Sequence, residues 1–165
     1  MAQAASIVAQ QVKTLLTDTS AGLGPTIAGI ANDKGIDLKM IEPERVVIQN
    51  TPAAIAEKHL VAKYPAIHLY VDRVQNVLFE KFRTFSGKVR TVAEVRVSQD
   101  RIEDLEDRVR LYVDSVTQIL DANRGCWPQG MFYAGQYEVR FEPVQQGGRN
   151  FIQTAKVIFE VDLSS

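Results

Sequence analysis

The chain has one cysteine, Cys126, so no internal disulfide can staple its fold, and a reducing compartment is the expected setting. It has only two histidines, His59 and His68, and no set of residues falls at metal-ligand spacing; neither a metal nor any other cofactor is expected. An excess of one charge is also lacking, with 19 Lys and Arg against 20 Asp and Glu and a formal net charge of −1. Such a chain has no global positive field to draw it onto phosphates or anionic lipid, which counts against nucleic-acid binding as its main task. No stretch approaches the roughly 18 apolar residues of a membrane span, and residues 1–13 lack a basic region followed by an apolar one. The expectation is a soluble, cytoplasmic protein without membrane contact. With 165 residues and 45% hydrophobic content there is material for one core. A single domain over 1–165 is expected, helical or irregular over 1–60 and sheet-plus-helix over 60–165.

What is present is periodicity. Ile7, Val8, Val12, Leu15 and Leu16 recur at helical spacing and predict a helix over 4–17 that stops before Gly22-Leu23-Gly24-Pro25, read as a turn. A short helix over 26–32 ends at Gly35, and Val46-Val47-Ile48 is a β-branched strand within an otherwise loop-like stretch. Thr51-Pro52 supplies a cap and a first-turn proline for a helix reaching Tyr64-Pro65.

Beyond Pro65 the period becomes two. Ile67, Leu69 and Val71 alternate with His68, Tyr70 and Asp72, and Val89, Ala93, Val95 and Val97 alternate with Arg90, Glu94 and Arg96. The stretch between them, with Phe79, Phe82 and Phe85, either extends the first strand or turns into the second. A long helix over 100–123 follows, its stripe Ile102, Leu105, Val109, Tyr112, Val116 and Ile119 opened by an Asp100/Glu103 capping box. Asp104 with Arg108 and Glu106 with Arg110 are four-apart pairs, and Asn123-Arg124-Gly125 stops the helix. Strands over 137–141 and 155–163 form a hairpin around the turn 145–150. Assembled, these elements predict an α+β fold: a mainly antiparallel sheet of four or more strands covered by a long amphipathic helix, with additional N-terminal helices.

The candidate chemistry is thin. Cys126 beside Trp127 reads as a partly buried structural thiol, since neither histidine has the context of a base. His68 falls on the polar face of its strand and reads as a solvated or interface residue. The acidic cluster Asp100, Glu103, Asp104, Glu106 and Asp107 complements a helix N-terminus. No catalytic constellation is found, and the chain is not expected to be an enzyme. The stretch 81–90, with Phe82 and Phe85 among Lys81, Arg83, Lys88 and Arg90, is the nearest thing to a nucleic-acid signal. The neutral overall charge favours a charged hairpin whose phenylalanines face the core or a neighbouring subunit.

Taken together, Tyr64-Pro65-Ala66-Ile67-His68-Leu69-Tyr70, Ala93-Glu94-Val95-Arg96-Val97, the long helix, Gly135-Gln136-Tyr137-Glu138-Val139-Arg140-Phe141-Glu142-Pro143 and Phe159-Glu160-Val161-Asp162-Leu163 resemble the tail-terminator, or tail-completion, proteins of tailed bacteriophages. The resemblance covers roughly 60–163 and rests on order and style more than on a sharp motif. It implies a virion protein, assembled in the host cytoplasm, that forms a homo-oligomeric ring, often hexameric. Such a ring caps the tail tube and joins it to the head connector. Its implied partners are itself, the tail tube with sheath subunits as a further candidate, and the connector or neck proteins, with DNA passing through without specific binding. A head-completion or neck adaptor role, and a small nucleic-acid- or ligand-binding module, are the alternatives. The expected contacts are Phe82, Arg83, Phe85, Lys88 and Arg90 in one segment and Gln145, Gln146, Arg149 and Asn150 in another.

Overall fold

The computed structural model describes residues 3–52 and 63–165. The helix expected after Pro52 lies outside the described residues. Helix α1 (Ala4–Leu16) buries Ala4, Val8, Val12 and Leu16, one residue per turn and a little over, and leaves its glutamines outward. Helix α2 (Leu23–Lys34) corrects the expectation of a turn at 22–25: Gly22 is its extended N-cap and Pro25 sits in its first turn. The first backbone N–H groups of a helix have no internal partner, so a proline there removes nothing. Gly35, at φ 65°, ends α2 in the left-handed conformation, its N–H returning to Ala31 and Asn32.

Strand β1 (Val46–Ile48) runs parallel to β2 (Ala66–Asn76), which pairs antiparallel with β3 (Ser86–Gln99). The last long strand, β8 (Asn150–Ser164), pairs with β3 without a break in register from Ser86↔Ser164 to Gln99↔Phe151. Its other edge takes three short strands in turn: β5 (Met131–Tyr133), β6 (Tyr137–Phe141) and β7 (Gln145–Gly147). β4 (Gly125–Trp127) lies outside β5. The fold is α+β, with one open sheet of eight strands among the described residues, mostly antiparallel.

Helix α3 (Leu105–Ala122) lies against β3 and β8, α1 against β1, β2 and β3, and α2 against α3. All three cover one face of the sheet. The odd-numbered residues of β3 and β8 point into this layer, where Val89, Ala93, Val95, Val157, Val161 and Leu163 are buried. Tyr112, on the apolar stripe of α3, donates its hydroxyl to the Lys39 carbonyl at 2.6 Å and so pins the connection between α2 and β1.

The start of α3 differs from expectation. Its N-cap is Asp104, at φ 64° and without a side-chain cap, so the Asp100/Glu103 capping box does not form, and Ile102 precedes the helix at 53% exposure. Gln99 organises this turn instead, donating to the carbonyls of Arg101 and Glu103. Arg110 pairs with Asp107 rather than Glu106.

Candidate functional site

The β2–β3 hairpin runs past the helical layer and ends in a loop that presents large apolar side chains to solvent. Val77 is 48% exposed, Leu78 59%, Phe79 57% and Phe82 104%. Together they expose roughly 500 Å² of apolar surface, at the upper end of what monomeric proteins show. The loop is firmly tied. Asn76 Oδ1 accepts from the Leu78 and Ser86 N–H groups, and its Nδ2 donates to the Thr84 carbonyl. The Glu80 N–H donates to Ser86 Oγ, and the Ser164 hydroxyl donates to Glu80 Oε2 at 2.6 Å. Leu78 and Phe82 both have positive φ, 50° and 64°, a conformation that costs a side-chain-bearing residue about 1 kcal/mol or more. The loop thus accepts backbone strain while holding Leu and Phe outward.

Of the residues singled out in 81–90, Lys81, Phe82 and Arg83 belong to this exposed tip. Arg83 is ion-paired with Glu80 at 3.4 Å. Phe85 is 2% exposed and part of the core cluster, so the expectation that it makes contacts is corrected: it anchors the hairpin base from inside. Lys88 and Arg90 lie on the sheet face opposite α1, α2 and α3. Lys88 sits 3.5 Å from Glu160 and 3.4 Å from Asp162, chiefly the latter holding its ammonium pKa above the ordinary value. Arg90 is 3.4 Å from Asp72, a residue brought into place by the bulge between Val71 and Arg73. Val77, Leu78 and Phe79 were not expected as contacts; their exposure depends on where β2 ends.

The second set of expected contacts is also rearranged. Gln145 and Gln146 do not project from a six-residue turn but belong to β7, opposite Ile152 and Phe151. The turn proper is Gly148, at φ 66°, with Arg149, closed by the Gly147↔Asn150 pair. Ser164 holds the loop after β2 while Asn150 closes this hairpin, so the two sets stand at opposite ends of β8. At about 3.3 Å per residue they are about 45 Å apart.

The remaining polar cluster lies on the sheet face opposite α1, α2 and α3. Arg96, 1% exposed, places Nε 3.2 Å from Glu94 Oε1 and Nη1 3.4 Å from His68 Nε2, and donates to the Thr51 carbonyl. The Tyr70 hydroxyl donates to Glu94 Oε2 at 3.1 Å. Burial, then the Glu94 carboxylate, holds the Tyr70 phenol well above its usual pKa. His68 is 9% exposed, which corrects the solvated reading, and burial followed by the Arg96 charge lowers its pKa to about 4. It is a neutral ring at neutral pH.

Cys126 is exposed rather than partly buried, because β4 is an outermost strand and the neighbouring Trp127 takes the inward position. Four strand spacings, about 20 Å, separate β2 from β4, so His68 cannot act as its base. Among the described residues no group of three or more His, Cys, Asp or Glu is placed to hold a metal ion, and no helix is long and apolar enough to cross a membrane. The sequence matches no protein-family model and no curated protein.

Proposed function

We propose that this chain is a structural subunit of a tailed-phage virion, a ring former at the head-proximal end of the tail that terminates the tube and joins it to the head connector. The observation that carries the reading is the strained, firmly anchored apolar tip at 77–82, which holds large apolar side chains in water in the isolated subunit and suits a protein contact. Two further features support it. Exposed loops at both ends of the long strand β8 suit a subunit that meets a neighbour on either side. Lys88 and Arg90 already face Glu160, Asp162 and Asp72, so a nucleic-acid module built on them would have to displace fixed carboxylates. DNA is accordingly proposed to pass without specific binding.

The test is in vitro joining. Head and tail extracts lacking this chain should be joined by the wild-type protein and not by a Phe79→Ser/Phe82→Ser variant of unchanged circular dichroism. Wild-type protein that fails to restore joining would refute the assignment, and a variant as active as wild type would remove the tip from it.

A further inference from the structure

The tip needs a receiving surface, and the hollows of the molecule differ sharply in what they offer. Three of those formed by described residues carry formal charges: Glu94, Glu142 and Lys156 in one, Lys88 and Glu160 with neighbours in another, Asp100 to Arg108 in a third. An apolar loop seated there would strip water from those charges without replacing it. Another, a groove of about 620 Å³ along α1, is lined by Ile7, Ile48 and Pro128 between Thr14 and the neutral amides of Gln10, Gln11 and Gln129, and carries no formal charge among its described residues. Ile48 is itself 44% exposed. Within one copy the tip does not reach this groove, since Phe82 stands fully exposed.

We infer that the 77–82 tip of one copy docks into the α1/β1 groove of a second copy. The inference rests on the assembly reading and names its self-contact. If the roughly 500 Å² of tip surface is covered by the groove together with the α1 surface around it, the contact buries roughly 1,000 Å² in total, the lower bound for a specific interface. Because tip and groove are different surfaces, each copy offers one of each, and the contact is head-to-tail; it closes into a ring or runs on as a filament according to the rotation per copy.

Mixing tests this directly, with mass measured by light scattering across a concentration series. A tip variant, Phe79→Ser/Phe82→Ser, and a groove variant, Gln10→Glu/Thr14→Glu, should each associate with themselves about 30-fold more weakly than wild type, the loss expected for an interfacial anchor. Mixed together, they retain one intact tip and one intact groove, and should form a 1:1 heterodimer that grows no further. Should the helix substitutions disturb folding, Gln129→Glu in the β4–β5 connection provides a second groove variant. Tip variants that assemble like wild type, a mixture that stays monomeric, or a wild-type chain that is monomeric throughout would each overturn the inference. If wild type forms open filaments and the mixture still pairs, the contact stands while the ring reading fails. A closed ring that persists in both variants leaves the ring reading and removes this contact.

Discussion

Replacing Arg96 by methionine isolates the energetics of the buried polar cluster. Methionine keeps much of the apolar stem and removes the guanidinium that faces Glu94, His68 and Thr51. Glu94, only 7% exposed, then retains the Tyr70 hydroxyl as its side-chain partner among the described residues. Stranding one member of a buried ion pair costs about 3–5 kcal/mol, whereas removing both charges is often close to neutral. The single variant should therefore lose about 3–5 kcal/mol, a fifth or more of the roughly 5–15 kcal/mol that stabilises an ordinary domain. The double variant Glu94→Gln/Arg96→Met should recover at least half of that loss, since the amide still accepts from Tyr70 and no charge is left behind. Urea unfolding at pH 7, followed by fluorescence of the buried Trp127, measures both. An Arg96→Met protein within about 1 kcal/mol of wild type, or a double variant no more stable than the single, would refute the reasoning.

The other expectations concern the same core and the hairpin. Because the folded-state pKa of His68, about 4, lies below the ordinary value of 6.5, its contribution to stability is complete above pH 6.5 and is lost as pH falls towards 4. The ceiling is on the order of 3 kcal/mol, and a His68→Gln variant should show a correspondingly shallower slope over this range; equal slopes would contradict a buried neutral ring. Leu105→Ala should cost about 2–5 kcal/mol and Ile102→Ala under about 0.5, with comparable losses in urea unfolding counting against the observed start of α3. At Gly87 an added Cβ would lie 1.8 Å from the Gln75 carbonyl oxygen, so Gly87→Ala should cost about 1–3 kcal/mol. Faster amide exchange at Leu78 and Ser86 would accompany that loss, and unchanged exchange would show that the hairpin base absorbs the methyl group.

Much of this architecture is legible in the sequence wherever one face of an element is apolar and the other polar. Val89 to Val97 and Ala155 to Leu163 alternate because one side meets the helices, and α1 announces itself through Val8, Val12 and Leu16. The alternation misleads where polar residues are themselves buried. His68, Glu94 and Arg96 read as a solvated face, yet they are buried and contact one another on the side opposite α1, α2 and α3. Spacing alone also joined Ile102 to the stripe of α3, because a left-handed residue such as Asp104 leaves no periodic trace. Three-residue strands such as β4 and β5 are too short to alternate at all. The apolar tip was half visible: aromatics at 79, 82 and 85 fit neither period, and only the folded hairpin separates the exposed Phe79 and Phe82 from the buried Phe85.

The central position of β8 also shapes how the chain reaches its fold. Its pairing with β3 joins residues as distant in sequence as Ser86 and Ser164, and β5, β6 and β7 all wait on its other edge. During synthesis the β2–β3 hairpin emerges early, with a long unpaired edge and half of its eventual neighbours missing, and it stays open until β8 has left the ribosome. Non-local strand pairing of this kind is slow and leaves hydrophobic edges available to other nascent chains. The protein is thus most exposed to misassociation before it is complete, and its yield in a cell should depend on temperature and chaperone supply more steeply than the stability of the finished fold would suggest.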